Sequence, residues 1–189
     1  RQPQKAGARA KLAETFVAHM EKSLTVTPGD RMGYEDSGSV TLRITSAEVP
    51  DSALIERLEQ AVKAGFIEAG APLQDGQLKL EVAEDEDLIG GIRMQLGDTV
   101  YDGTVASLLA RAKASVAAAD TADKELIAPL REILRSVTRE PDVYQTGTVI
   151  SVSDGICRIS GVSDAMAGEL IEFEDGLRGM VMDLEKDNA

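Results

Sequence analysis

The sequence has few aromatic residues, one cysteine, one histidine and no long apolar run. Aromatics make up 3% of the 189 residues and tryptophan is absent, so a core has to be built mainly from aliphatic side chains and Met. The single Cys157 rules out an internal disulfide, which argues against a disulfide-stapled secreted scaffold. One His and one Cys cannot assemble the usual zinc site. No apolar stretch reaches the roughly 20 residues that cross a bilayer.

Positive charge is also scarce. The chain has 33 acidic and 20 basic residues, for a formal net charge of -13. Binding to nucleic acid or to anionic membranes needs clustered cations, so this charge argues against both and favours a basic partner surface. The acidic run at 84–87 does not match an EF-hand loop begun at Asp85, because Leu96 stands where the loop needs its terminal Glu. We interpret the run as a solvated loop at the end of a strand.

Residues 87–105, DLIGGIRMQLGDTVYDGTV, contain four glycines and invite comparison with a phosphate-binding loop. The P-loop pattern fails, because the spacing from Gly91 to Gly97 is one residue too long and Asp98 stands in place of the lysine. A Gly-first pair between alternating apolar runs instead predicts a hairpin with a type II′ turn at Gly97-Asp98. Gly90 and Gly91 then serve the close turn into that hairpin.

Apolar periodicity predicts an α+β unit that ends near residue 118. Its order is helix, strand, helix, strand, hairpin, helix. The first helix spans 8–24, the second starts at Pro50-Asp51-Ser52 and ends at Gly65, and the third is capped by Thr104. The residues predicted on the inner helix faces are Leu12, Phe16, Val17, Met20, Leu24, Leu54, Ile55, Leu58, Ala61, Val62, Val105, Leu108, Leu109, Ala112 and Val116. Strands are predicted at 40–45, 78–82, 92–96 and 99–101.

A composition change near residue 119 marks a boundary, after which a second amphipathic stripe follows. The stripe contains Leu126, Ile127, Leu130, Ile133, Leu134 and Val137, with Arg131, Glu132, Arg135 and Arg139 around it. Pro129 interrupts the pattern, so a helix is either kinked there or begins near Ala128 with the proline in its first turn. The stripe lies between two units. It either packs internally or is offered to a partner groove.

After Pro141 the sequence changes to short apolar runs separated by turn signals, among them Asp154-Gly155 and Glu174-Asp175-Gly176. Asp-Gly between alternating runs is a strong hairpin signal. The pattern predicts a small all-β barrel or sandwich. About 45 residues are few for a closed barrel, and an edge that no strand closes needs a partner.

The residues that could carry chemistry have simpler structural interpretations. His19 is expected at the boundary of the first helix stripe, and Cys157 is expected as a small buried hydrophobic residue in a strand. We do not expect a pair of carboxylates that acts in acid/base catalysis, since acidic residues are so abundant that pairs form by chance. We therefore expect no catalytic, cofactor or metal site.

Two stretches resemble parts of one family of machines. Leu-Ile-Gly-Gly-Ile, Gly-Asp-Thr-Val and Asp-Gly-Thr-Val within 87–105 resemble the C-terminal part of the δ subunit of F-type ATP synthases, related to the mitochondrial oligomycin-sensitivity-conferring protein. The resemblance extends over about 39–118. The runs GTVISVSDGI from Gly147, MAGELIEF from Met166 and GMVMDLE from Gly179 are similar to the N-terminal β-barrel of the α subunit. With the preceding helix, this second resemblance covers about 120–188.

We expect four parts. The residue pattern predicts an N-terminal helix and loop at 1–38, to which the resemblance does not extend. The resemblance implies a δ-like α+β module at 39–118, a linker with an amphipathic helix at 119–142, and an incomplete α-subunit-like barrel at 143–189. It also implies a non-catalytic stator and crown element of a proton-translocating ATP synthase. The expected partners are the α and β subunits, the b subunit of the peripheral stalk and the helical domain of δ. The location implied is peripheral, at the cytoplasmic face of the bacterial inner membrane or its organellar equivalent.

In the family the helix at the position of 124–139 docks on the δ subunit, which nominates the stripe as the contact. The expected partner-binding residues are Leu126, Leu130, Arg131, Ile133, Leu134, Arg135 and Val137. Two other functions stay open. One is a soluble two-domain adaptor unrelated to ATP synthesis, and the other is a small hydrolase that uses acidic residues.

Overall fold

The computed structural model describes residues 3–27, 30–31, 38–118 and 141–184. The helices and strands of these residues are, in chain order, α1 (Pro3–Ser23), β1 (Val40–Ser46), α2 (Ser52–Glu68), β2 (Leu78–Glu84), β3 (Ile92–Leu96), β4 (Thr99–Asp102), α3 (Val105–Ala118), β5 (Asp142–Gln145), β6 (Thr148–Ser153), β7 (Ile156–Ser160), β8 (Leu170–Glu172) and β9 (Arg178–Met180). This order confirms the predicted α+β module followed by a β-rich segment.

One five-stranded sheet organises the molecule, with the strand order β2-β1-β3-β4-β5. β1 and β2 are parallel, whereas the pairs β1-β3, β3-β4 and β4-β5 are antiparallel. A parallel pair needs a crossover connection, and α2 supplies it. β3 and β4 form the predicted hairpin, in which Gly97 has φ +57° and Asp98 has no positive φ. This pattern agrees with a type II′ turn.

The core forms where α1 and α2 meet the sheet. Val40, Leu42 and Ile44 of β1 alternate inward and are at most 1% exposed. They join side chains of β3, α1 and α2 in a single cluster. The cluster's largest buried members from the helices are Phe16, Val17, Met20, Leu58, Val62 and Phe66. The first helix therefore packs into the same core as the sheet.

Arg57 ties α1 to α2. Its Nε and Nη2 donate to the two carboxylate oxygens of Glu21, each at 2.7 Å, and its Nη1 donates to Glu14. These hydrogen bonds hold the pKa of Glu21 below its ordinary value. An arginine fork that engages two carboxylates fixes orientation better than a single ion pair does, so Arg57 sets how the first helix lies on the second.

Three details of the helices differ from the sequence prediction. The first helix was predicted at 8–24 but spans Pro3–Ser23. α2 was predicted to end at Gly65 but continues to Glu68. A Cβ at Gly65 would lie 3.0 Å from Val26 Cγ2, so this glycine serves close packing and not helix termination. In α3, Thr104 caps the helix, because its Oγ1 accepts from Ser107 N at 3.3 Å. Leu109, predicted on the inner face, is exposed.

The turn before β3 requires glycine at Gly91. Its φ is +88°, and a Cβ there would lie 2.2 Å from the carbonyl oxygen of Gly103. Gly90 carbonyl oxygen accepts from Val105 N at 3.0 Å, which joins this turn to the start of α3. The prediction that Gly90 and Gly91 make a close turn is thus confirmed, and it connects the hairpin to the helix after it.

The strands after β5 form two separate hairpins, β6-β7 and β8-β9. Asp154 and Gly155 have φ values of +52° and +77°, as a type I′ turn requires. None of the described residues 141–184 is buried. Cys157 is exposed, so the prediction of a buried thiol was wrong. Alternation alone placed it on a covered face, and no described residue covers that face.

Candidate protein interface

A group of hydrogen-bonded polar side chains lies where β5 joins the sheet. β5 pairs with β4 in the register Thr99 with Gln145, Val100 with Tyr144, Tyr101 with Val143 and Asp102 with Asp142. Thr146 N donates to the Asp98 carbonyl oxygen at 2.7 Å and extends the ladder by one residue. The interface therefore runs from the hairpin turn along the whole of β4.

Asp98 holds one end of this interface. Its carboxylate Oδ2 accepts from Ser163 Oγ at 3.1 Å and from Ser163 N at 3.4 Å. Its carbonyl oxygen also accepts from the Thr146 hydroxyl at 3.3 Å. Only 7% of Asp98 is exposed. The residue that the sequence marked as a hairpin turn is thus also the point where the β-rich segment attaches.

Asp102 and Asp142 hold the other end. Arg93 Nε donates to Asp102 Oδ2 at 3.0 Å, and the Tyr144 hydroxyl donates to the same oxygen at 3.5 Å. Burial raises the pKa of Tyr144, and the neighbouring Asp102 charge raises it further. Arg111 Nη1 lies 3.0 Å from Asp142 Oδ1. Each of these two carboxylates therefore has a cationic partner.

Asp142 also accepts a hydrogen bond from the hydroxyl of Ser107, on α3. Arg111 is on the same helix. The helix that follows β4 therefore contributes two side chains to the strand that completes the sheet, so α3, β4 and β5 are held together at this end.

A buried carboxylate lies beside the hairpin turn. Asp30 is fully buried, and its Oδ2 accepts from Thr27 N at 2.6 Å and from Thr27 Oγ1 at 2.9 Å. Burial raises the pKa of Asp30, and the charge of Asp98 adds to the effect. The Tyr101 hydroxyl donates to the Thr25 carbonyl oxygen at 3.1 Å, and burial raises its pKa too. These groups fasten the segment after α1 to β4.

The strands β6–β9 present large apolar side chains to solvent. The exposed side chains are Val149, Ile150, Val152, Ile156, Met166, Leu170, Leu177, Met180, Met182 and Leu184. Ile156 is 71% exposed and Met182 is 78% exposed. Contiguous exposed apolar residues mark protein interaction sites. The surface is suited to contact with another protein.

The part of the chain that the structure describes holds no group of three or more His, Cys, Asp or Glu that could bind a metal ion. The acidic run at 84–87 forms a local turn, in which Asp85 Oδ1 accepts from Asp87 N at 3.0 Å. His19 is half-buried on α1, at the boundary of the buried stripe as predicted.

The sequence-predicted contact stripe lies outside the described residues. All seven of its members fall between 119 and 140: Leu126, Leu130, Arg131, Ile133, Leu134, Arg135 and Val137. The residues of the β4–β5 interface were not predicted as a site. The available signal was the alternation of Asp142, Tyr144 and Thr146 on one side of a short strand, but alternation does not say which strand lies alongside.

Two family models match consecutive parts of the chain. The model of the ATP synthase delta (OSCP) subunit matches residues 30–140, which is more than half of the 189 residues. The model of the ATP synthase alpha/beta family, beta-barrel domain, matches residues 143–189. No solved structure gives a significant match. The division between the two matches falls at β5, so a strand of the second match completes the sheet of the first.

Proposed function

Because this chain belongs to the ATP synthase delta (OSCP) subunit family and is a component of an F-type ATP synthase, we propose that it works as a non-catalytic stator and crown element, linking the peripheral stalk to the catalytic head. The observation that carries this proposal is the succession of a delta match and an alpha/beta barrel match in one chain. A chain that contains both a delta-like part and an alpha/beta-like part is suited to lie between the δ subunit and the α or β subunits.

The polar clusters of the described residues support a mechanical role. Asp98 is occupied by Thr146 and Ser163, and Asp102 is occupied by Arg93. These groups hold the β-rich segment to the sheet. A stator has to resist torque, and it does so with large, specific contact area and not with a reactive side chain.

The apolar surface of β6–β9 supports contact with other subunits. A large exposed apolar side chain such as Ile156 contributes ~1.5–3 kcal/mol when it becomes fully buried, before the costs of association are subtracted. The partners we propose are the α and β subunits, the b subunit of the peripheral stalk and the helical domain of δ. Association with them would place the chain peripherally at the cytoplasmic face of the bacterial inner membrane, or at the organellar equivalent.

No described helix has the length and apolar character needed to cross a membrane. A binding helix at the stripe would supply the main anchor, with Leu126, Leu130, Ile133, Leu134 and Val137 as its apolar contacts and Arg131 and Arg135 at the rim.

The test is retention of the full chain in the purified complex. The double variant Leu130→Asp/Ile133→Asp places two charges on the stripe, and we expect it to be lost when the complex is isolated through another subunit. The matched control Ala128→Asp/Ser136→Asp adds the same two charges at positions outside the stripe and is expected to stay. Equal retention of both variants would refute the contact, and wild-type chain that never co-purifies with ATP synthase subunits would favour an unrelated adaptor.

A further inference from the structure

β5 is recognised by side chains as well as by the backbone. Three residues in its run share one side of the strand, because they stand two apart. Asp142 contacts Ser107 and Arg111, Tyr144 contacts Asp102, and Thr146 contacts Asp98. A backbone ladder gives affinity to any extended segment, whereas side-chain contacts at alternate residues select a particular one.

The contacts that seat this strand connect two stretches that are distant in the sequence. They link residues 98–111 to residues 142–163. The same contacts form whether the strand comes from the same chain or from another. Residues 119–141 reach at most about 80 Å when fully extended, which allows the strand to cross to a neighbouring copy.

The β-rich segment would lose no buried core contacts of its own if it moved to another copy. None of residues 141–184 is buried, so moving the segment to another copy disrupts no core of its own. A vacant β4, in contrast, would expose unpaired backbone groups at a sheet edge, which is a template for another strand. An empty acceptor therefore favours capture of a second strand.

We propose that β4, with Asp98 at one end and Asp102, Ser107 and Arg111 at the other, is a strand-acceptor site for the motif Asp-x-Tyr-x-Thr, and that it takes this strand from a second copy of the chain. The exchange links two copies through the contacts that close one copy on itself. This inference depends only on the β4–β5 geometry and holds whatever complex the chain joins.

The hydrogen-bond pattern between β4 and β5 shows which substitution in β5 would leave β4 unpaired and which would serve as its control. Thr146 N donates to Asp98 O, and antiparallel pairs alternate, so the N–H of Tyr144 points toward β4 and that of Val143 points away. Tyr144→Pro should therefore release the strand. Val143→Pro should leave it seated, because proline is tolerated where an edge strand faces solvent.

The test uses full-length chains in which Cys157 is replaced by Ala. An acceptor chain carries Thr99→Cys with Tyr144→Pro, and a donor chain with a different tag carries Gln145→Cys. Thr99 and Gln145 are directly opposite in the ladder. On oxidation we expect the donor and acceptor to form a disulfide-linked heterodimer. Its yield should be at least about tenfold higher than with a control acceptor that carries Thr99→Cys and Val143→Pro. In that control the acceptor's own strand stays seated, and one charge-assisted hydrogen bond such as that of Tyr144 to Asp102 is alone worth about this factor.

Two readouts guard against misfolding. A donor with Tyr144→Cys, whose side chain lies on the other side of the strand, should give no heterodimer above background. The acceptor chain should also bind a labelled peptide of residues 140–147, EPDVYQTG, and should bind the Asp142→Ala peptide less tightly. No heterodimer from an acceptor that binds the peptide would overturn exchange between copies, and no binding of either probe by a folded acceptor would overturn the acceptor site.

Discussion

The described residues between 3 and 111 and the residues 141–184 are both rich in strands, yet only the first of these two regions encloses a core. In the first, β1 and β3 lie beneath two helices, and alternate side chains are fully buried. In the second, the hairpins β6-β7 and β8-β9 have no buried residue. A single hairpin cannot exclude water from its side chains, so an isolated two-stranded sheet is marginal in water. The comparison shows that strand content does not measure stability, because stability follows from what covers the strands.

The largest expected difference between the regions is the cost of removing a large side chain. Phe66 is fully buried, and Phe66→Ala should lower the free energy of unfolding by about 3–5 kcal/mol. Val152 serves as the comparison in the second region, because its side chain is 66% exposed. Val152→Ala should change the free energy of unfolding by less than about 0.5 kcal/mol. Urea unfolding measures both. A similar loss for the two variants would mean that Val152 is covered in solution.

The next effect sharpens the comparison within the first region. Gly91→Ala combines a left-handed backbone with a clash against the Gly103 carbonyl oxygen, so we expect a loss of about 2–4 kcal/mol. Gly70 has φ +74° but open space around it, and Gly70→Ala should cost only about 1–2 kcal/mol. Thermal unfolding of the two variants separates the clash from the backbone strain. Equal losses would contradict the close approach at Gly91.

A smaller and more local effect tests the link between the regions. Asp98→Ala removes the carboxylate that accepts from Ser163 and should lower the local opening free energy there by about 1.5–3 kcal/mol. Hydrogen exchange of the Ser163 amide, followed by NMR, reports this opening. Asp85→Ala removes a comparable turn contact inside the first region and should leave that amide unchanged. Faster exchange in both variants would indicate general destabilisation and not a specific tie.

The smallest effect is a pH dependence at Asp30. Its pKa is raised above the ordinary value of 3.8 by burial, so the protonated form is the one that folding favours. The stability it contributes is complete below about pH 3.8 and is lost as the pH rises through the raised value. Relative to Asp30→Asn, the wild type should therefore become less stable over that rise.

Urea unfolding at a series of pH values measures this difference. Asp75→Asn, at an exposed turn, controls for the loss of one acidic charge. A wild-type chain that gains stability over Asp30→Asn as the pH rises would reverse the sign and show that Asp30 is ionised without penalty.

Most of the first region was predictable because its periodicities are local. Alternation located Val40, Leu42 and Ile44, the helical stripe located Phe16 and Met20, and the Gly-Asp pair located the hairpin turn. The extension of α2 past Gly65 was missed, because a glycine that ends a helix and one that admits Val26 look the same in the sequence.

The candidate interface was not predictable for a different reason. The pairing of β4 with β5 joins residues 40 to 46 positions apart, and the pattern of a strand does not say which other strand lies beside it. The burial of Cys157 was mispredicted for the same cause, since alternation identifies a face without supplying its cover. The contact stripe at 126–137 stays a prediction.

The position of β5 also bears on how this gene is best divided for expression. A fragment cut at the division between the two family matches would contain β4 without its neighbour and would present a bare sheet edge, which invites aggregation. A fragment that ends after Thr146 would retain the complete sheet while omitting both exposed hairpins. We therefore expect the fragment that includes Pro141 to Thr146 to stay in solution at concentrations at which the shorter fragment aggregates.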